Sequence, residues 1–363
     1  MVNRLQSCGF LTLVYGDSAL MWLDVIPKLC CPACGQCSLA CEVFTPDAVF
    51  GVNEGVVYCQ TCHAWYPLTG GVLELLTGDL AYPADRAAFW AQYQTLLSAL
   101  HLPPDTKTAQ TDTQQQKHQQ VVFDADATEQ TISKDYELQP FWQLVDQQLF
   151  AAWQTQIQRG AWLLDVGCAQ GYRTVQFAHL DIQIVGMDIS KRLAQQAAQL
   201  YRQKPQQAKI VYMAADCGVT LPMREASFDV VLVYGVLHHL LNPASICREI
   251  TRILQPHGRY YGLENNTSLF RGMFELLQRL NPLWGNDPGE EELISHETLA
   301  RWFANQPMRL KTQTMTYVPP HLVNVLPTTM GNALLKMTDT LGQALPGLRE
   351  QGGLIVIEAV KSA

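Results

Sequence analysis

Leu164-Asp165-Val166-Gly167-Cys168-Ala169-Gln170-Gly171 is the stretch on which the fold turns. An apolar run beginning at Trp162 meets a carboxylate, breaks at glycine, and leads into residues that predict a helix from near Tyr172. Strand, glycine loop and helix in that order open a parallel α/β unit, and the glycines let a ligand approach the backbone. A dinucleotide fingerprint needs glycine at 167, 169 and 172. This chain has Gly167, Ala169 and Tyr172, which disfavours a nicotinamide or flavin site.

Working outward, β-rich runs at 162–166, 182–188, 210–214, 228–234, 259–264, 310–318 and 353–360 alternate with helical stripes such as Leu193, Ala197 and Leu200, or Ile246, Ile250 and Leu254. That alternation predicts an α/β fold with helices covering a parallel sheet. Asp165 at a strand end repels a pyrophosphate but suits a ligand carrying an ammonium and a sulfonium, as S-adenosylmethionine does. Asp188, at the end of the second strand, is placed to accept two ribose hydroxyls, and Asp216, two residues past the third, to accept from an adenine amino group while the Cys217 N–H donates to the ring. Taken singly, such acids are more often caps or turn residues. Their joint spacing reverses those odds.

Residues 160–264 resemble a class I S-adenosylmethionine-dependent methyltransferase: Asp165, Gly167 and Gly171 match its glycine motif, Asp188 its ribose acid and Asp216 its adenine acid. Phe228-Asp-Val-Val and Leu254-Gln-Pro-His-Gly-Arg match later motifs. The resemblance implies a Rossmann-like seven-stranded sheet with the last strand antiparallel. It also implies a donor held by Asp165, Gly167, Cys168, Gly171, Asp188, Ile189, Asp216, Cys217 and Tyr234. Ala169, where the commonest motif has glycine, adds one methyl to the loop.

Nearer the amino terminus stand Cys31-Pro-Ala-Cys34 and Cys59-Gln-Thr-Cys62, with 24 residues between the pairs. Four thiolates suit tetrahedral, structural zinc, with a redox dithiol as the rival chemistry and Cys30, Cys37, Cys41 and His63 as spare ligands. Residues 26–76 resemble the Trm112-like zinc-ribbon family, whose members partner RNA or protein methyltransferases. The reading therefore divides the chain into a ribbon at 21–80, a helix and exposed polar linker at 81–135, and a methyltransferase domain at 136–363 with lid insertions at 265–295 and 319–350. Ribbon-like sequence starts only near Leu23, so Met21 is the expected natural start.

Composition narrows the class further. Of 363 residues 48% are hydrophobic and 16% charged, which excludes global disorder. Lys and Arg number 25 against 33 Asp and Glu, for a net charge of −8, so no chain-wide basic field exists to hold nucleic acid. No apolar run reaches membrane-spanning length and no leader is evident, while paired cysteines fit a reducing compartment; the expected location is cytoplasmic.

On the acceptor side, the chain runs Tyr234-Gly-Val-Leu-His238-His239 after the fourth strand, without the motif that marks methylation of an exocyclic base amine. His238 and His239 are the candidate proton acceptors, although either imidazole serves equally well as a packing group. Glu264-Asn265-Asn266 is a weaker candidate for substrate contact. Phe270, Phe274, Leu277 and Leu280 recur on one helical face, extended by Leu283-Trp284, and 319–349 is again apolar. These segments predict a lid over a small, hydrophobic organic acceptor, with an extra hydrophobic layer or a contact surface for a partner or membrane as the equal alternative. The alternatives are an RNA methyltransferase and a non-catalytic interaction protein that keeps the fold.

Overall fold

The computed structural model describes residues 21–104, 114–129, 138–203, 207–283 and 293–363. The chain divides into two compact units: Met1–Asp124 with Cys168–Ser227, and Ala125–Gly167 with Phe228–Ala363. After a short helical segment at 21–28, the principal elements in chain order are β1 (Leu39–Asp47), β2 (Gly51–Cys59), β3 (Trp65–Thr69), β4 (Val72–Glu74), α1 (Pro83–Ala99), α2 (Gln114–Glu129) and α3 (Pro140–Gln154). Then come β5 (Trp162–Val166), β6 (Gln183–Asp188), α4 (Lys191–Gln203), β7 (Lys209–Ala214), β8 (Phe228–Tyr234), α5 (Pro243–Ile253) and β9 (Leu254–Asn265). The chain ends with α6 (Leu269–Leu280), α7 (His296–Phe303), β10 (Met308–Met315), α8 (Thr328–Ala344) and β11 (Leu354–Lys361). Eleven strands are present among the described residues, not seven; the additional four, β1 to β4, come from the cysteine-rich segment.

In the first unit the strand order is β1-β2-β3-β4-β7-β6. β1 to β4 pair antiparallel, after which β4 lies parallel to β7 with Val72, Leu73 and Glu74 opposite Tyr212, Met213 and Ala214. β4 is only three residues long and wholly buried, so it gains its backbone partners by covering an edge that β7 would otherwise leave open. Leu75 N continues the pairing to Ala214 O at 2.8 Å. Val56, Tyr58 and Trp65 pack with Phe89 and Leu97 of α1, which gives a segment too small for its own core an apolar cover.

In the second unit the order is β5-β8-β9-β11-β10. β5, β8 and β9 are parallel, and β11 runs antiparallel to both its neighbours, as the resemblance implied for the last strand. The apolar stripe of α3 buries Phe141, Leu144, Val145, Leu149 and Trp153; Trp153 stacks on Tyr261 at 5.0 Å and donates to Glu358 Oε1.

Three expectations need correction. The helix anticipated from Tyr172 is a single 3-10 turn, Thr174–Phe177, because adjacent β-branched Thr174 and Val175 disfavour a longer α-helix. The exposed linker contains α2, with Gln116, Gln119, Gln120 and Asp126 buried, since glutamine forms helices well when its amide finds partners. On α6 only Phe274 is buried, while Leu280 is exposed along with Leu269, Met273 and Leu276. Trp284 and residues 1–20, which precede the expected natural start at Met21, lie outside the described residues.

Candidate functional site

The glycine loop and β6 meet in the first unit through backbone and carboxylate. Cys168 N donates to Met187 O at 3.0 Å, and Ala169 N to Asp188 Oδ2 at 2.9 Å. Ser190 N donates to Asp188 Oδ1, also at 2.9 Å, so one carboxylate ties the loop to the turn that starts α4. Burial raises this carboxyl to about 6; the amides of Ser190 and Ala169 oppose the rise and Asp124 adds to it. Ala169 sits at φ 45°, the left-handed region, which explains why a glycine is the commoner residue there.

Asp216 is likewise engaged. Its Oδ1 accepts Gly218 N at 2.8 Å and its Oδ2 accepts Gln116 Nε2 at 2.5 Å. Burial, then Asp216 and Asp188, pushes the neighbouring Cys217 thiol well up, so it stands as a neutral thiol. Gln120 Nε2 donates to Leu80 O at 2.7 Å and to Ile189 O at 3.4 Å. Sequence reasoning missed these glutamines because they lie in a polar run. The signal was a spacing: Gln116, Gln120 and Asp124 recur every four residues, one helical face.

In the second unit Asp165 is buried on β5, opposite Leu232 of β8. Gly167 has φ 72°, and a Cβ there would lie 2.3 Å from Val236 Cγ2, so both conformation and space demand glycine. The Tyr234 hydroxyl donates to Asp146 Oδ1 at 2.6 Å. His238 Nδ1 is 2.7 Å from Glu264 Oε2, while Glu264 Oε1 accepts the amides of Val236 at 2.9 Å and Leu237 at 2.7 Å. A carboxylate partner puts a proton on Nδ1. The His239 ring lies 4.0 Å from that of His238. Glu264 therefore shapes the loop carrying both histidines; Asn265 Oδ1 accepts from Arg271, and Asn266 Nδ2 donates to Glu350 O and Gly352 O.

The four paired cysteines converge. Their sulfurs all lie within 4.8 Å of one another, with Cys31 to Cys62 at 3.7 Å and Cys34 to Cys59 at 3.6 Å. Tetrahedral zinc with bonds of about 2.3 Å sets sulfurs about 3.8 Å apart, so the donor set fits that ion. Two matching turns build it: Gly35 N returns to Cys31 O and His63 N to Cys59 O, with Gly35 and His63 both at positive φ. His63 closes one of these turns and is not in the group of four converging ligand atoms. Cys30 and Cys37 are joined to each other in a disulfide, a bond the sequence reading did not anticipate, and burial pushes the Cys41 thiol up to about 12.

No helix among the described residues is long and apolar enough to cross a membrane. Residues 164–262 match the methyltransferase domain family. Among curated proteins the chain is similar to 27-O-demethylrifamycin SV methyltransferase of Amycolatopsis mediterranei (strain S699), at 32% identity over 104 residues, 28% of this chain and 38% of that protein. It is also similar to the ubiquinone biosynthesis O-methyltransferase of Albidiferax ferrireducens, at 31% over 99 residues, 27% of this chain and 39% of that one. The match thus spans under two fifths of these relatives' lengths. Among solved structures, the YcgJ protein of Bacillus subtilis aligns with TM-score 0.41 and 17% identity, covering 59% of this chain and 98% of that one. The match to a methyltransferase domain thus falls on the stretch that carries the parallel α/β strands β5 to β9.

Proposed function

We propose that this protein transfers a methyl group from S-adenosylmethionine to a small, apolar organic acceptor, and that its amino-terminal cysteines hold one structural zinc ion. The observation that carries the donor reading is Asp188, whose carboxylate bridges the glycine loop and the turn after β6, where a ribose diol would be received. Cys168 and Gly171 line that loop, Ile189 and Cys217 flank the adenine, and Asp216 takes its amino group. Asp165, Gly167 and Tyr234 complete the assignment made from sequence.

The donor's sulfonium supplies an electrophilic methyl group, so the chain has to orient the acceptor in line and remove its proton. His239 receives that proton, and His238, held by Glu264, sets the loop. O-Methyltransferases among the relatives support a small-molecule acceptor. The apolar residues of α6 and α8 support a hydrophobic one, covered by the lid segments.

Isotope-labelled donor incubated with a metabolite extract tests the reading, with labelled apolar product expected. Binding across a salt series separates the alternatives, because phosphate contacts release counterions and weaken steeply with salt whereas apolar contacts do not. Tight, salt-sensitive RNA binding without lipid binding, or NADH binding in place of S-adenosylmethionine, overturns it. Absence of any turnover to S-adenosylhomocysteine would point instead to a non-catalytic interaction protein.

A further inference from the structure

One buried charged cluster in the first unit plays no part in the chemistry above. Lys191 is the first residue of α4 and only 3% exposed, where the helix dipole opposes a cation and burial penalises one. Its Nζ donates to Glu74 Oε2 at 2.9 Å and to Asp85 Oδ2 at 2.7 Å. Glu74, fully buried on β4, receives Arg86 Nε at 2.7 Å and Tyr82 N at 3.2 Å through its other oxygen. The Tyr82 hydroxyl accepts Lys191 N at 3.0 Å and donates to Asp124 at 2.9 Å, and Asp124 Oδ1 also accepts from Ser190 Oγ at 2.5 Å.

The turn that follows Asp188 is therefore held at each of its residues by the segment 74–124: Ile189 O by Gln120, Ser190 Oγ by Asp124, Lys191 N by Tyr82 and Lys191 Nζ by Glu74 and Asp85. Buried ion pairs are often no more stabilising than apolar residues of the same volume, so stability alone does not account for this one. What it secures is the position of the turn whose Ser190 N bonds Asp188.

We propose that the amino-terminal segment positions the methyl donor within the chain: Glu74, Tyr82 and Asp124 act through Lys191 and Ser190 to hold Asp188 where it receives the ribose. This rests on the donor reading above. Lys191 and Tyr82 are positioning residues that touch no reacting atom.

The test compares full-length wild type with Lys191→Met, Lys191→Arg, Tyr82→Phe and Arg202→Met, by calorimetric binding of S-adenosylhomocysteine and by thermal unfolding. Lys191→Met leaves Glu74 paired with Arg86, and Tyr82→Phe removes a single hydroxyl, so a mild variant remains should the first fold poorly. Arg202 pairs with Asp47 at 2.7 Å in the last turn of α4 and controls for loss of a contact to the amino-terminal strands. Binding should weaken about tenfold in Lys191→Met and about threefold in Tyr82→Phe, recover in Lys191→Arg, and stay within about twofold in Arg202→Met. Wild-type affinity in both Lys191→Met and Tyr82→Phe refutes the proposal, as do losses that simply follow Tm in all the variants. A wild type that binds no S-adenosylhomocysteine refutes the donor reading, and this inference with it.

Discussion

Asp188→Asn should make the protein more stable at neutral pH and poorer at binding its donor. In the fold the Asp188 carboxyl is raised from 3.8 to about 6, chiefly by burial, with Asp124 adding repulsion. Ionising it therefore costs the folded state about 3 kcal/mol relative to the unfolded chain. The sign follows from the raised value: stability is fully present below about 3.8 and is lost as pH rises through about 6. Roughly half of that loss has occurred by pH 5 and essentially all by pH 8. Asparagine removes the penalty but presents one acceptor, so either Ala169 N or Ser190 N loses its partner, at about 2 kcal/mol. Asp188→Asn should thus pass from slightly less stable than wild type at pH 5 to about 1 kcal/mol more stable at pH 8. Urea unfolding at the two pH values measures this. Donor affinity should fall by about 1.5 to 3 kcal/mol for each charge-assisted bond lost. A stability difference that does not move with pH, or unchanged donor binding, would refute the reasoning.

Elemental analysis of protein purified without added metal should find about one zinc per chain, and Cys59→Ser should release it and lower Tm; fully folded, metal-free wild type counts against the site. His238→Ala should cost about 2 kcal/mol by leaving the buried Glu264 with backbone donors in place of its imidazole, measured by denaturant titration. His239→Ala should change stability by less than about 0.5 kcal/mol while lowering turnover about 100-fold, and equal losses of stability in the two variants would make both packing residues. Gln116→Ala takes a donor from Asp216, so amide exchange in α2 should accelerate about tenfold or more; unchanged protection would mean that the helix is held elsewhere.

Much of this was legible in the chain itself. The seven strands from Trp162 onward lie within a few residues of their expected bounds, because alternating apolar runs closed by Asp165, Asp188 and Tyr234 are local signals that tertiary packing had no cause to override. The two Cys-x-x-Cys turns were equally local, since each closes on its own backbone. Which cysteines assemble was less so: Cys30 and Cys37 pair with each other, and His63 turns the chain, both outcomes of geometry that spacing does not encode.

What only the tertiary structure decided concerns polar groups with distant partners. Nothing in the composition of 103–134 distinguishes a solvated glutamine from Gln116 or Gln120, whose burial depends on Asp216 and on the carbonyls of Leu80 and Ile189, 100, 40 and 69 residues away in sequence. The partners of Glu74, Lys191 and Glu264 are likewise named only by the fold, which brings Arg86, Asp85 and His238 to them. The joining of β4 to β7 is decided in the same way, since a three-residue strand carries too little pattern to name its partner and only an open parallel edge, formed elsewhere in the chain, can supply one. The apolar periodicity that sets strands and helices is written in neighbouring residues, whereas the pairing of buried charges and amides is written in distances that exist only after the chain has folded.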